Sequence, residues 1–84
     1  MLRGTVTHSF ALEGRGTVLT LKVVKGQVEA GDTVRLAVGD RCLVATVRSV
    51  EWEDDAMVGS SYWELAILVE GIAPSEVPSG TPIS

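Results

Sequence analysis

The sequence contains few cysteine, histidine or aromatic residues and no long hydrophobic run. One cysteine excludes an internal disulfide framework, and one cysteine with one histidine excludes the usual zinc ligand sets. No apolar stretch approaches the ~18 residues that a membrane-spanning helix needs, and the first five residues have no signal-peptide pattern. We therefore expect a soluble, cytoplasmic protein that does not bind a membrane.

Positive charge is also scarce in this chain. Seven Lys and Arg residues against eleven Asp and Glu residues give a formal net charge of −4. Binding to a phosphate backbone works through an excess of basic charge that releases counterions, so generic DNA or RNA binding is disfavoured. Eighty-four residues fit a single domain, residues 1–84, and leave no room for a nucleotide-binding domain beside it.

What the sequence does contain is typical of β-structure. Thirteen valines and seven threonines stand against one Phe and one Tyr, and nine glycines punctuate the chain at short intervals. β-branched side chains suit a pleated sheet, and short strands between regular turn signals indicate a sandwich or barrel. The pattern predicts strands at about residues 2–10, 17–24, 33–38, 41–52 and 62–69, a helical turn from Pro74 and a brief edge strand at 81–83.

Four local features of these strands can be predicted more closely. Gly39 and Asp40 suit a tight hairpin turn with glycine at the first central position. The apolar phase of the longest strand slips near Arg48 and Ser49, which indicates a β-bulge. Residues 66–69 are the most apolar four of the chain, so we expect them to be buried on both faces or to lie at the centre of the sheet. Cys42 is expected to be a small buried residue of its strand.

Two glycine-containing blocks carry a resemblance to a known family. Residues 10–20 include Gly14-Arg15-Gly16, and residues 24–34 include the turn Gly31-Asp32. Together with residues 50–52, 68–72 and 78–83, these blocks resemble the second domain of elongation factor Tu and related translational GTPases. The likeness covers about residues 6 to 84. It implies an all-β fold, a small closed antiparallel β-barrel of six or seven strands, with a short strand at residues 27–29.

The resemblance implies binding rather than chemistry. In the elongation factors this domain docks on the GTPase domain partly through the Gly-Arg-Gly loop. It also offers a pocket for the 3′-terminal adenosine of aminoacyl-tRNA, lined by the Glu that matches Glu51. Glu70 stands where the family has an Arg, and a carboxylate there repels phosphate. Gly14-Arg15-Gly16 lacks the Gly-Lys-[Ser/Thr] end of a P-loop, so autonomous GTP hydrolysis is excluded.

The candidate partner-binding residues form two sets. The first is the loop Gly14, Arg15 and Gly16, whose glycines could equally serve only a hairpin with positive φ. The second set is aromatic or apolar and surrounds an acidic loop: Trp52, Met57, Tyr62 and Trp63. If these side chains lie together on the surface, they have the composition of a protein-binding hot spot. The alternative is that one or both tryptophans cap an end of the barrel.

The sequence therefore predicts a non-enzymatic binding module that acts by protein–protein contact, with the translation machinery or with a toxin or regulatory protein. The alternative is RNA binding, to a tRNA acceptor end or to single-stranded RNA, with bases stacked on Trp63. No nucleophile–base pair or phosphate loop is visible, so we expect no catalytic residue and no cofactor. We expect no metal, because the acidic residues from Glu51 to Asp55 lack the spacing of a calcium loop. Monomer and homodimer both remain open.

Overall fold

The structure, a computed structural model, describes residues 2–54 and 62–84, and these residues form strands with one short 3-10 helix. The elements are β1 (Arg3–Leu12), β2 (Gly16–Lys25), β3 (Thr33–Val38), β4 (Arg41–Asp54), β5 (Trp63–Glu70), the 3-10 helix (Pro74–Glu76) and β6 (Pro82–Ile83). Within the described residues, no helix has the length and apolar character needed to cross a membrane.

The strands close into an antiparallel barrel in the order β1-β2-β5-β4-β3-β6. This confirms the predicted all-β barrel. The final strand is not an edge, because Ile83 pairs with Gly4 of β1 and with Leu36 of β3. A closed ring leaves no free sheet edge among the described strands.

The short strand expected at residues 27–29 is absent from the structure. The predicted Gly31-Asp32 turn is present, but the residues before it pair with no strand, and Glu29 bonds into this turn instead. The backbone N–H of Glu29 donates to Oδ2 of Asp32 at 2.8 Å, and the N–H of Asp32 donates to the carbonyl of Glu29 at 3.1 Å. These local bonds satisfy the N–H and carbonyl of Glu29, which a neighbouring strand would otherwise have to satisfy.

The predicted turn and bulge are both confirmed. Val38 pairs with Arg41 across a two-residue turn, in which Gly39 has a φ of 61° and Asp40 does not have positive φ. Positive φ at the first central position alone is the pattern of a type II′ turn. In the pairing of β4 with β5 the register shifts between Val47 and Ser49, which places the bulge at Arg48. A second shift lies between Val50 and Trp52.

The barrel interior is filled by apolar side chains from all six strands and from the segments before β1 and after the 3-10 helix. They are Leu2, Val6, Leu19, Leu21, Val23, Val34, Leu36, Ala45, Val47, Leu65, Ile67, Val69, Val77 and Ile83. Each large aliphatic side chain among them contributes about 1.5–3 kcal/mol through burial. The interior therefore supplies the main driving force for folding.

Strand β5 is buried on both faces, as predicted for residues 66–69. Leu65, Ile67 and Val69 point into the barrel, while Ala66 and Leu68 point outward. On the outside, Ala66 and Leu68 form a second buried cluster with Val18 of β2, and Leu12 packs against it.

The predicted helical turn from Pro74 is confirmed and closes one part of the barrel. Oγ of Ser9 donates to the carbonyls of Pro74 and Val77, and Oε1 of Glu76 accepts a bond from the backbone N–H of Ala73. These bonds hold Val77 in the interior.

Cys42 is exposed, so its expected burial was wrong. In β4 the inward positions are Ala45 and Val47, and Cys42 lies on the opposite face because side chains alternate along a strand. It pairs with Ala37, which is exposed as well.

Candidate partner-binding surface

The Gly-Arg-Gly loop forms the turn between β1 and β2, and its last glycine has a packing role. Gly16 has a φ of 142°, and a Cβ atom at this position would lie 2.7 Å from the backbone oxygen of Val69. Gly14 has a φ of 76°, but a Cβ atom there would meet open space. Gly16 thus allows the start of β2 to approach β5 closely, whereas Gly14 only needs its left-handed backbone conformation.

Arg15 reaches from this loop to Glu51 of β4. Its Nη1 lies 3.5 Å from Oε1 of Glu51, and the two side chains are 57% and 24% exposed. Oε2 of the same carboxylate accepts a bond of 2.6 Å from Oγ of Ser49. The carboxylate is therefore held by one group on each oxygen, and the loop and the strand-four glutamate of the sequence prediction lie together.

Glu70 is paired with Arg48, a residue that the sequence analysis did not name as a site residue. Nη1 of Arg48 lies 2.5 Å from Oε1 of Glu70, and both side chains are half exposed. Arg48 stands at the bulge of β4, close to the pairing of Thr46 with Glu70. The sequence located the bulge, but it held no information on which strand would lie opposite.

These residues surround a shallow depression of about 270 Å³. It is lined by Gly14, Arg15, Arg48, Ser49 and Leu68. Both of its guanidinium groups already contact a carboxylate, so the local charge is balanced. A ligand anion would have to compete with Glu51 and Glu70 for the two arginines.

Trp52 of β4 lies on the outer face of the barrel, and a second exposed aromatic residue, Phe10 of β1, lies on the same face with β2 and β5 between them. The register aligns His8, Thr20, Ala66 and Trp52 in one row across four strands. A neighbouring row of the same face contains Phe10, Val18, Leu68 and Ser49. Phe10 is 49% exposed and Trp52 is 45% exposed, although Val18, Ala66 and Leu68 between them are buried. We call Phe10, Leu12, Val18, Trp52, Ala66 and Leu68 the outer apolar surface.

Trp52 also borders a depression of about 300 Å³ that extends across the strands towards β1. Thr7, His8, Thr20 and Glu64 line it together with the indole. Oγ1 of Thr7 and Oγ1 of Thr20 are hydrogen-bonded to each other at 2.8 Å, which fixes the floor between β1 and β2. The exposed indole thus stands next to a polar recess rather than on a flat strand face.

Trp63 and Tyr62 occupy different environments from Trp52. Trp63 pairs with Val23 and packs against the interior cluster, so it lies on the opposite face of the sheet from Trp52. Tyr62 precedes β5, and Nζ of Lys22 lies 4.1 Å from the centroid of its ring. This is the geometry of a cation–π contact. Met57 lies outside the described residues.

The acidic run beside Trp52 brings carboxylates together without an ordered ligand set. Asp54 is paired directly with Glu64, and Glu53 precedes it on β4. Asp55 lies outside the described residues. Within residues 2–54 and 62–84, no group of three or more His, Cys, Asp and Glu side chains is arranged to hold a metal ion.

The two surfaces thus differ in chemistry. The depression at the Gly-Arg-Gly loop is charged and balanced, whereas the outer apolar surface leaves large aromatic groups in water. A comparison with protein-family models gives no match for this chain. The geometry of the two surfaces is accordingly the main guide to function.

Proposed function

We propose that this chain is a non-enzymatic binding module of the elongation-factor-Tu domain 2 type, which works in the cytoplasm through protein–protein contact. The contact surface is the outer apolar surface, with Phe10 and Trp52 as its anchors. The observation that carries the proposal is the half exposure of these two side chains beside buried outward-facing residues. The partner is a component of the translation machinery, or a toxin or regulatory protein that the barrel intercepts.

Aromatic anchors of this kind give affinity at low entropic cost. Phe and Trp have two side-chain torsions each, and Trp is among the residue types enriched at binding hot spots. The charged side chains of Arg15, Glu51 and Glu64 lie around the outer apolar surface as a polar rim. A partner that covers the surface would remove both aromatic groups from water while the rim stays hydrated.

The test is retention of a partner from a lysate of the native host by the tagged chain, in nuclease-treated and untreated halves. We expect a defined protein to survive nuclease treatment and to be lost with Phe10→Ala and with Trp52→Ala. Val44→Ala is the matched control, because Val44 is an exposed apolar residue of β4 outside the outer apolar surface. Circular dichroism establishes that each variant is folded. Equal retention by Trp52→Ala and the unsubstituted chain would contradict the proposal.

A second candidate function is RNA binding at the depression of the Gly-Arg-Gly loop. It is favoured by one observation, the two guanidinium groups of Arg15 and Arg48 on the same depression. The resemblance adds a pocket for a 3′-terminal adenosine beside Glu51. The net charge of −4 and the carboxylate partner of each arginine weigh against it.

Fluorescence anisotropy with a short single-stranded RNA that ends in adenosine separates the two functions. RNA binding at this depression predicts an affinity that falls steeply between low and moderate salt and that is lost in an Arg15→Gln, Arg48→Gln double variant. Trp52→Ala leaves this affinity unchanged if the RNA site is the depression. Absence of binding at low salt rules the RNA function out.

A further inference from the structure

A separate depression lies where β6 joins β1 to β3. Its volume is about 410 Å³, within the range of about 300–1,000 Å³ that is usual for small-molecule sites. Arg3 of β1 and Arg35 of β3 border it, and its apolar lining comes from Val24, Ala37, Pro82 and Ile83. No residue of the outer apolar surface or of the Gly-Arg-Gly loop takes part in it.

The two arginines of this depression differ from Arg15 and Arg48. Within the described part of the chain, neither Arg3 nor Arg35 forms a salt bridge, whereas Arg15 and Arg48 do; Arg41, which does not line this depression, forms none either. This is notable in a chain with eleven acidic residues and a net charge of −4. The guanidinium groups of Arg3 and Arg35 are thus available to an external anion.

The backbone at Arg35 is fixed by its neighbours. Its N–H donates to the carbonyl of Ser84 at 2.8 Å, and its carbonyl accepts a bond of 2.9 Å from the N–H of Ser84. Val34 and Leu36 on either side are buried in the interior, so the side chain of Arg35 points outward over the depression. The cation therefore projects from a rigid strand rather than from a loop.

Apolar surface lies directly beside these charges. Val24 is 52% exposed, and Ala37 and Pro82 are exposed as well, above a floor formed by the buried Ile83. A ligand that satisfies both features carries an anionic group next to an apolar body. The fork of a guanidinium matches a carboxylate. The acidic chain also repels a singly charged carboxylate less than a doubly charged phosphate.

We propose that this depression binds a small organic monocarboxylate with an aliphatic or aromatic body. The carboxylate accepts hydrogen bonds from Arg3 and Arg35, and the body lies on Val24, Ala37 and Pro82. This site is independent of the protein-contact surface proposed above. Binding here and loss of partner contact at Trp52 can therefore be measured separately.

Cys42 provides a built-in reporter of occupancy. It is the chain's one cysteine, it is exposed, and it lines this depression. The experiment is the rate at which iodoacetamide, an uncharged reagent, alkylates Cys42 in the presence of octanoate. At about ten times its Kd, a ligand that covers the thiol slows alkylation about tenfold, because only the free fraction reacts.

Matched ligands separate the charge from the apolar body. Octanol lacks the anion and acetate lacks the body, so we expect neither to protect Cys42 at the concentration at which octanoate does. Octyl phosphate is expected to protect less than octanoate. Stronger protection by octyl phosphate would contradict the assignment to a carboxylate, and equal protection by octanol would contradict any role of the arginines.

Matched variants of the protein test whether the two arginines bind the carboxylate. We expect Arg3→Gln and Arg35→Gln to abolish protection by octanoate, while Arg48→Gln and Trp52→Ala keep it. Amide chemical shifts of residues 35–37, 83 and 84 in a titration with octanoate give a second readout that does not need the thiol. Absence of both protection and shifts, or protection that persists in Arg35→Gln, would overturn the proposal.

Discussion

The guanidinium of Arg15 lies 3.5 Å from the carboxylate of Glu51. The contact joins the turn after β1 to strand β4, two parts of the chain that are not neighbours in the strand order of the barrel. Because both side chains are partly exposed, water and salt screen their attraction. The pair therefore fixes the positions of two charged side chains at the surface, and it adds little to the stability of the fold.

A double-mutant cycle measures this directly. For Arg15→Ala and Glu51→Gln we expect a coupling energy below about 1 kcal/mol, since exposed ion pairs contribute about 0–1 kcal/mol. The measurement is urea unfolding of the four proteins at low and at high salt, with the coupling shrinking at high salt. A coupling energy well above this range that does not change with salt would instead show that the ion pair stabilises the fold.

The two glycines of the loop should differ in their tolerance of substitution. Gly16→Ala combines a positive φ with a Cβ atom against backbone, so we expect a loss of about 2–4 kcal/mol of unfolding free energy. Gly14→Ala meets no neighbour and should lose only about 1–2 kcal/mol, the cost of left-handed backbone. Thermal or urea unfolding ranks the two variants. The reverse ranking would mean that β2 does not approach β5 as described.

A buried hydroxyl connects β2 to the segment after β5. Oγ1 of Thr17 donates to the carbonyl of Ile72 at 2.7 Å. Thr17→Val keeps the shape and leaves this carbonyl without its donor, which should cost about 1–3 kcal/mol. Thr33→Val, at an exposed strand position, is the control and should change stability by less than about 0.5 kcal/mol. Equal unfolding midpoints for the two variants would argue against the bond.

The two tryptophans should be distinguishable by fluorescence quenching. Trp63→Phe leaves only Trp52, which is half exposed, so acrylamide should quench its emission strongly. Trp52→Phe leaves only Trp63, which packs against the interior, so quenching should be clearly weaker. In urea the two variants should become equal. Equal quenching in the folded state would place both indoles in similar environments.

Much of the fold could be predicted because its signals are local. The phase slip at Arg48 and Ser49, the glycine at position 39 and the apolar run 66–69 each depend on a few adjacent residues. The turn at Gly31 and Asp32 was predicted, but the short strand at 27–29 before it was not found, since the bonds between Glu29 and Asp32 compete with strand pairing. Cys42 was predicted to be buried because cysteine is usually a buried residue type. In the structure it is exposed, because the alternation of side chains along β4 places it on the outer face.

The candidate surface was less predictable, because cross-strand register is long-range information. Phe10 joins the outer apolar surface only through its pairing with Val18. A second register shift lies just before Trp52. The alternation of apolar residues in the sequence does not change there, so this shift could not be predicted. Trp52 and Trp63 are close in sequence, yet their faces are set by separate strands. The ion pair of Arg48 with Glu70 could not be found without the register of β4 and β5.

Strand β6 closes the ring with only two residues, and Pro82 has no N–H to donate to either neighbour. A local opening there would release β1 and β3 from each other while the remaining ladders stay intact. The exposed backbone of β1 and β3 would then be open to the β6 segment of another copy, which competes with the chain's own segment only at high protein concentration. We therefore expect concentrated protein to exchange closing strands between molecules, so that the two-residue strand which completes the barrel is also the place where two barrels would join.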